Sequence, residues 1–421
     1  MKFGVIMHKT TQNIGDDIQT FAAMQHLPHT DYFLDRECLD EFRTEDGKPA
    51  AVLMAAWYMW NKWNWPPSDY IVPLLTGMHF SDHQASEQVG SPVKTEFLTG
   101  CGAEYMNANG PVGCRDMYTL NKFKELGLDA FFSGCITLTL PKMEKKTPEK
   151  EYICAVDLPP EILKKLKEIV AGRCEIIETT HYKDYRNSDA TWEEREKAVI
   201  ELLTIYQNAK CVVTRRLHCA LPCLAMEVPV FVTNRHKRPV SGRFDPYYDW
   251  IKHCTYKTFL AEKFKYDFLN PPQNSKKYLP VREDMIKSIE EFVEKYKDEN
   301  GDPKDYVKTT YTEEELYKWK AKTMRECMNA WFKVTDAEER ELKELRHAFK
   351  EYEEMKREVI HQRKVLSCSS VQKAIKLRNM LMPKNKKIRS YEEIRAARIE
   401  AEKLKAQQEK ERLKAEQENK Q

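Results

Sequence analysis

An arginine and a histidine two residues apart, placed directly after a short apolar run, are the pair in this sequence best suited to chemistry on an anion. Cys211-Val212-Val213-Thr214 reads as a buried strand and Leu217 to Met226 as a helix, so Arg216 and His218 fall at the junction. In an open parallel sheet that junction lies at the carboxyl ends of the strands, where ligands bind, and the helix N-terminus adds a positive dipole. A guanidinium there suits phosphate or carboxylate. An imidazole beside it can exchange a proton near neutral pH. A purely structural pair fits the same residue types.

Asn13-Ile14-Gly15-Asp16-Asp17 is the second candidate, at the turn between a first strand and a first helix. Gly15 permits close backbone approach, Asn13 can hydrogen-bond hydroxyls, and Asp16 or Asp17 either caps the helix or binds or deprotonates a sugar hydroxyl. The stretch is no dinucleotide fingerprint, because G-x-G-x-x-G is absent. His218, Cys219 and Cys223 cluster at a spacing that matches no common zinc pattern, so no metal or resident cofactor is expected.

The elements that must position these residues alternate. Phe3 to Met7 predicts a strand, Gly15 to Gln25 a helix, Val52 to Trp57 a strand, and Met117 to Leu126 a helix stopped by Gly127. After the charged, proline-bracketed stretch Pro141 to Lys150, the pattern resumes. It runs through strand Tyr152 to Val156, a helix after Pro160, strand Glu175 to Glu178, a helix from Trp192 to Gln207, and a strand from Val228 to Val232. The expected division is an N-terminal α/β domain over 1–143, a linker over 144–150, a second α/β domain over 151–262, a helical return over 263–305 and a charged helical extension over 306–421. Two sheet domains in tandem normally form a cleft.

Capping boxes at Thr312 to Glu315 and Thr335 to Glu338 predict two helix starts in the extension. Residues 391–421 are built from helix formers with ion-pair spacing, which favours a solvated helix over a strong coiled coil. Residues 359–391 hold Arg363, Lys364, Lys373, Lys376, Arg378, Lys384, Lys386, Lys387 and Arg389. Val371, Ala374, Ile375, Leu377, Leu381 and Met382 give this basic stretch an apolar face. It fits either an interfacial helix on an anionic membrane or a helix packed on the protein.

At 421 residues, with 41% apolar and 32% charged residues, the chain is long enough for two or three compact units. Its 69 basic and 66 acidic residues give a net charge of +3, too balanced for nucleic-acid binding by the whole chain. The N-terminus reads as a strand and not as a signal peptide, and no apolar run reaches the length of a membrane span. The 12 cysteines show no C-x-x-C pair, so reduced thiols and a cytoplasmic location are expected, at most peripheral on the membrane face.

With these residues in place, the chain resembles the polysaccharide pyruvyl transferase family. Three stretches carry the resemblance: Asn13 to Asp16; Gly110-Pro111-Val112-Gly113-Cys114-Arg115-Asp116 with Ser133-Gly134-Cys135; and the strand-R-L-H-helix segment from Val212 through Pro229. They cover about the first 250 residues. The resemblance implies two Rossmann-like domains in a GT-B-like arrangement, with pyruvyl moved from phosphoenolpyruvate to a glycan or lipid-linked sugar acceptor, commonly as a cyclic ketal. It implies envelope, capsule or exopolysaccharide synthesis as the setting. On that reading Arg216 and then Arg115 hold the donor's phosphate and carboxylate, His218 is the acid that protonates the enol carbon or assists the leaving phosphate, and Asp16 orients or activates the acceptor hydroxyl. Arg235, His236, Lys237, Arg238 and Arg243 form a further basic rim, of which Arg243 is the member expected to bind substrate.

The chain departs from the family pattern in two places. Val52 onward lacks a glycine-rich turn and leads into Trp57, Trp60, Trp63 and Trp65, which stack on sugars or pack in the core. Glu227 stands where glycine is common before Val228-Pro229-Val230. Two other readings remain open on the residues: a GT-B glycosyltransferase using a nucleotide sugar, and a non-catalytic assembly protein at a membrane.

Overall fold

A computed structural model describes residues 1–58, 65–80, 98–145, 148–186, 188–235 and 243–383; within the helix over 313–367, the side chains of residues 327, 330, 331, 333, 334 and 337 fall outside this description. Residues 1–335 form one compact unit and residues 336–421 a second.

The first unit is built on two parallel sheets. β1 (Lys2–Met7), β2 (Tyr32–Asp35), β3 (Ala50–Leu53) and β5 (Ile71–Leu74) make a sheet of order β2-β1-β3-β5, with Val5 opposite Phe33 and Leu53. β9 (Tyr152–Val156), β10 (Glu175–Thr179), β11 (Cys211–Thr214), β12 (Val230–Asn234) and β13 (Lys252–Thr255) make a sheet of order β10-β9-β11-β12-β13. Their central strands are continuous runs of buried residues, as strands covered on both faces require. Two short parallel pairs flank the first sheet: β4 (Trp57–Tyr58) with β6 (His79–Phe80), and β7 (Val112–Cys114) with β8 (Ala130–Phe132).

Helices α1 (Ile14–Met24), α2 (Gly100–Asn109), α3 (Met117–Glu125), α4 (Pro160–Val170), α5 (Trp192–Asn208), α6 (Leu217–Ala225), α7 (Tyr256–Leu260) and α8 (Leu279–Tyr296) pack around these strands. One apolar core joins the sheets. Phe3, Val5 and Leu53 of the first and Val156, Val212 and Val232 of the second belong to the same buried cluster, bridged by α1, α6 and the 3-10 turn Ile136–Thr139.

The run expected as one strand from Val52 to Trp57 is split, because β3 ends at Leu53 and Trp57 begins β4, which pairs with His79 and not with the main sheet. The strand expected from Val228 starts at Val230 instead. Before it, Glu227 adopts φ +57, the left-handed position that commonly ends a helix and that glycine occupies without strain.

The long helix α9 (Glu313–Ser367) begins at the Thr312 capping box, in which Glu315 Oε2 accepts from the Thr312 amide at 2.8 Å and Thr312 Oγ1 from the Glu315 amide at 3.2 Å. The second expected start, at Thr335, is not one. The helix runs straight through it, and Thr335 Oγ1 donates to the Phe332 carbonyl at 2.9 Å. No glycine or proline interrupts 313–367, and a mid-helix threonine is accommodated by bonding back to the preceding turn. A short α10 (Ser369–Leu381) follows an extended Cys368 and has no buried residue. No described helix is long and apolar enough to cross a membrane. The helix expected over 391–421 and the basic residues from Lys384 onward lie outside the described residues.

Candidate active site

The site collects at the carboxyl ends of β1, β7, β11 and β12. After β1 the chain turns into α1, and Asn13 caps that helix by accepting from the Gly15 amide at 3.1 Å. Neither Asp16 nor Asp17 is the cap. Asp16 is buried beneath the turn, where Oδ2 accepts from Thr11 Oγ1 at 2.5 Å and lies 3.5 Å from His8 Nδ1, while Oδ1 accepts from Trp57 Nε1 at 3.1 Å. Burial alone would raise its pKa. The His8 hydrogen bond, the Arg36 charge and the Thr11 hydroxyl outweigh burial and hold the carboxyl well below its usual range. Asp16 is therefore a fixed anionic acceptor and a poor base. Asp17 is committed elsewhere, in a buried ion pair with Arg195 of α5 at 2.7 Å.

Arg115, at the end of β7, is fully buried. Its Nη1 donates to Gln19 Oε1 at 2.8 Å and lies 3.3 Å from His218 Nε2, and its Nε lies 3.7 Å from Asp116 Oδ2. Its Nε and Nη2 have no hydrogen-bond partner, and neither does the Nε of Arg243. Unused donors on buried cations are costly unless an anion takes them. Arg243 feels this directly, since burial and then the Arg115 charge bring its pKa down to about 10.

His218 stands in the first turn of α6 against Gly15, where a Cβ would lie 3.0 Å from His218 Cβ and 3.1 Å from its Nδ1. Burial, Arg115 and Arg243 push its pKa well below the ordinary histidine value, so the imidazole is neutral and accepts from Arg115 through Nε2. Arg216, the residue before α6, is turned to Asp157, whose Oδ2 it reaches from Nε at 2.7 Å; the Arg216 side chain is 37% exposed.

Two cavities result. The first, about 370 Å³, is lined by His8, Asp16, Trp57, His79, Arg115 and Arg243, among others. The second, about 340 Å³, is lined by His181, Arg215, Arg216, His218, Arg235 and Arg243, among others. Asn13 and Arg243 border both. The structure thus brings Asp16, Arg115 and Arg243 to one cavity and Arg216, His218 and Arg243 to the other, with the Arg115–His218 contact between them. Of the rest of the basic rim, Arg235 is exposed, and His236, Lys237 and Arg238 lie outside the described residues. Trp57 faces the first cavity, Trp65 is core at 1% exposure, and Trp60 and Trp63 lie outside the described residues.

Sequence reasoning missed His79. It is buried on β6 and lines the first cavity, with Nδ1 2.6 Å from Asp116 Oδ2 and 3.1 Å from Thr119 Oγ1. Burial brings its pKa down to about 4, with Arg115 adding to burial and Asp116 opposing it. Asp116 is held at about 2, as its partners His79, Arg115 and the Thr119 amide overcome burial. The carboxylate fixes the tautomer: Nδ1 carries the proton and Nε2 the free lone pair. Asp116 was visible only as a motif letter, and a strand of two residues gives His79 no periodic signal. Among the described residues, no group of three or more His, Cys, Asp or Glu side chains is placed to hold a metal ion.

No curated protein matches the chain. Among solved structures, a protein of Klebsiella pneumoniae subsp. pneumoniae NTUH-K2044 whose function is uncharacterised is similar at 12% identity, covering 60% of this chain and 92% of its own, with a TM-score of 0.35. A family model matches across the motifs that hold His79, Arg115, Asp116, Arg216 and His218: residues 77–237 match polysaccharide pyruvyl transferase.

Proposed function

We propose that the chain transfers pyruvyl from phosphoenolpyruvate to sugar hydroxyls of a glycan or lipid-linked acceptor, in envelope, capsule or exopolysaccharide synthesis. The observation that carries this reading is the pair Arg115, fully buried, and Arg243, half-buried, whose buried and unpartnered N–H groups belong to residues lining a polar cavity. Phosphoenolpyruvate presents a phosphate and a carboxylate, and two cations with open donors suit such a ligand. A GT-B-like pairing of the two sheets belongs to this proposal, as does the division into α/β domains over 1–143 and 151–262.

In the reaction two acceptor hydroxyls form bonds to C2 and lose their protons, the bond from C2 to the phosphate oxygen breaks, C3 gains one proton, and the leaving phosphate takes up the equivalent of the other. His79 Nε2, fixed as a lone-pair acceptor by Asp116, takes a hydroxyl proton as C2 is attacked. Asp16, ionised and hydrogen-bonded, orients the acceptor by accepting from it. His218 is neutral in the free protein because it is buried and two guanidiniums flank it. Arrival of the donor's anionic groups beside Arg115 offsets the guanidinium charges and places negative charge beside the buried ring, which raises the His218 pKa so that the imidazole can carry the proton that C3 or the leaving phosphate requires. Arg216 reaches the donor or the acceptor's phosphate from the second cavity, released from Asp157.

Calorimetry with phosphoenolpyruvate and a panel of nucleotide sugars, on wild type, Arg115→Ala and Arg216→Ala, tests the reading. Saturable phosphoenolpyruvate binding that disappears in Arg115→Ala supports it. Binding of a nucleotide sugar alone moves the chain to the glycosyltransferases. The basic stretch over 359–391 is proposed to touch anionic membrane, and sedimentation with phosphatidylglycerol vesicles of the full chain against a Lys373→Gln, Lys376→Gln, Arg378→Gln variant checks it.

A further inference from the structure

From residue 338 to residue 364 every apolar side chain of α9 falls on one side of a heptad. With Leu342 at position a, the a and d positions hold Leu342, Leu345, Phe349, Tyr352 and Val359, and the flanking e and g positions add Ala348, Met355 and Ile360. Positions b, c and f hold only Lys, Arg, Glu and His. Leu345 is 61% exposed, Phe349 64% and Met355 63%. A seam of this length, nearly four heptads and about 40 Å, is the pattern of a helix that meets another helix.

We propose that a second copy of the chain closes this seam, as an antiparallel coiled coil centred between Lys350 and Glu351. The charges select both partner and direction. In a parallel pair, Lys356 and Arg363, both at position a, would each face their own copies. Antiparallel, position a lies opposite the partner's d. Arg363 then meets the partner's Glu338, Phe349 the partner's Tyr352, Leu342 the partner's Val359, and the Lys356 stem covers the partner's Leu345. On the e flank Arg346 meets the partner's Glu353, and on the g flank Ala348 meets the partner's Met355. The two-fold axis makes every one of these pairings occur twice, and the self-complementarity is that of an isologous dimer. One sequence segment thus supplies both halves of its own charge pattern.

Sedimentation equilibrium of the full chain at micromolar concentration tests this, with circular dichroism as the check on helix content. The expected result is a dimer for wild type and a monomer for Phe349→Asp, an exposed position at which the helix itself tolerates the change. Arg346→Glu, which sets glutamate against glutamate at both symmetry-related contacts of the e flank, is expected to weaken the dimer about tenfold. Adding Glu353→Arg to Arg346→Glu is expected to restore wild-type affinity to within a few fold. A monomeric wild type, or a Phe349→Asp variant that remains dimeric, overturns the interface. Failure of Glu353→Arg to rescue overturns the antiparallel register, because in a parallel pair Arg346 would face the partner's Glu341.

Discussion

Nε2 of His218 lies 3.3 Å from Nη1 of Arg115, so the first turn of α6 and the end of β7 meet through a hydrogen bond between a neutral imidazole and a buried guanidinium. The two groups then have separable effects. Arg115→Ala removes open donors and is expected to weaken phosphoenolpyruvate binding at least tenfold, the scale of one charged hydrogen bond. His218→Ala keeps the guanidinium and is expected to reduce turnover far more than donor affinity. Calorimetry and phosphate release on the two variants check the split.

Gly15 supports the histidine from behind. A methyl group added there meets His218 at 3.0–3.1 Å. Gly15→Ala should displace the ring by a few tenths of an ångström and lower turnover at least tenfold. The helix itself gains from alanine by about 0.5–1 kcal/mol, so the melting temperature should change little. Parallel measurement of rate and thermal unfolding separates this outcome from general destabilisation.

Protonation supplies a third test. His79, at about 4 in the folded chain against 6.5 unfolded, takes up its proton more readily when unfolded, and His218 acts in the same direction. The share of stability these two histidines contribute is therefore full above pH 6.5 and falls as pH is lowered toward 4, by at most about 1.4 kcal/mol per pH unit for each, while Asp17, whose pKa burial raises to about 7, acts in the opposite direction over the same range. Asp116, at about 2 against 3.8, contributes stability that is lost only below pH 3.8. Urea unfolding across pH 4–7 should show this slope, and His79→Gln should flatten it.

Glu227 offers a change remote from the chemistry. Its left-handed backbone is strained for a residue with a Cβ, and its ion pair with Lys142 at 2.7 Å is exposed. Glu227→Gly is expected to stabilise the chain by up to about 1 kcal/mol, since a surface pair contributes little against relief of that strain. The denaturation midpoint checks it.

The parts of this fold that could be read from the sequence are those whose own residues suffice. Cys211–Thr214 and Tyr152–Val156 are strands because unbroken apolar runs have few alternatives, and the start at Thr312 is a reciprocal cap complete within four residues. Thr335 carried the same letters in a different context, where helix formers on both sides prevailed. The site was legible as residues and not as groupings. Arg216 and Arg115 stood out as anion binders, yet only the fold reveals that Asp157 engages the first while the second keeps donors free. His79 depends on a partner 37 positions away. Arg243 sits within a basic run that looks like solvated loop, and the burial of its Nε comes from tertiary packing alone.

Because Arg243 borders both cavities, neither is electrostatically independent of the other. An anion settling in one chamber neutralises part of the charge that attracts an anion to its neighbour. Linkage makes that penalty equal in both directions, so two anionic ligands bound together must each be weaker than either alone. On the proposed reaction, phosphate left behind after a turnover would thus loosen the hold on an anion in the other chamber, and its departure would tighten that hold. This shared guanidinium couples the two chambers' occupancy without any moving part.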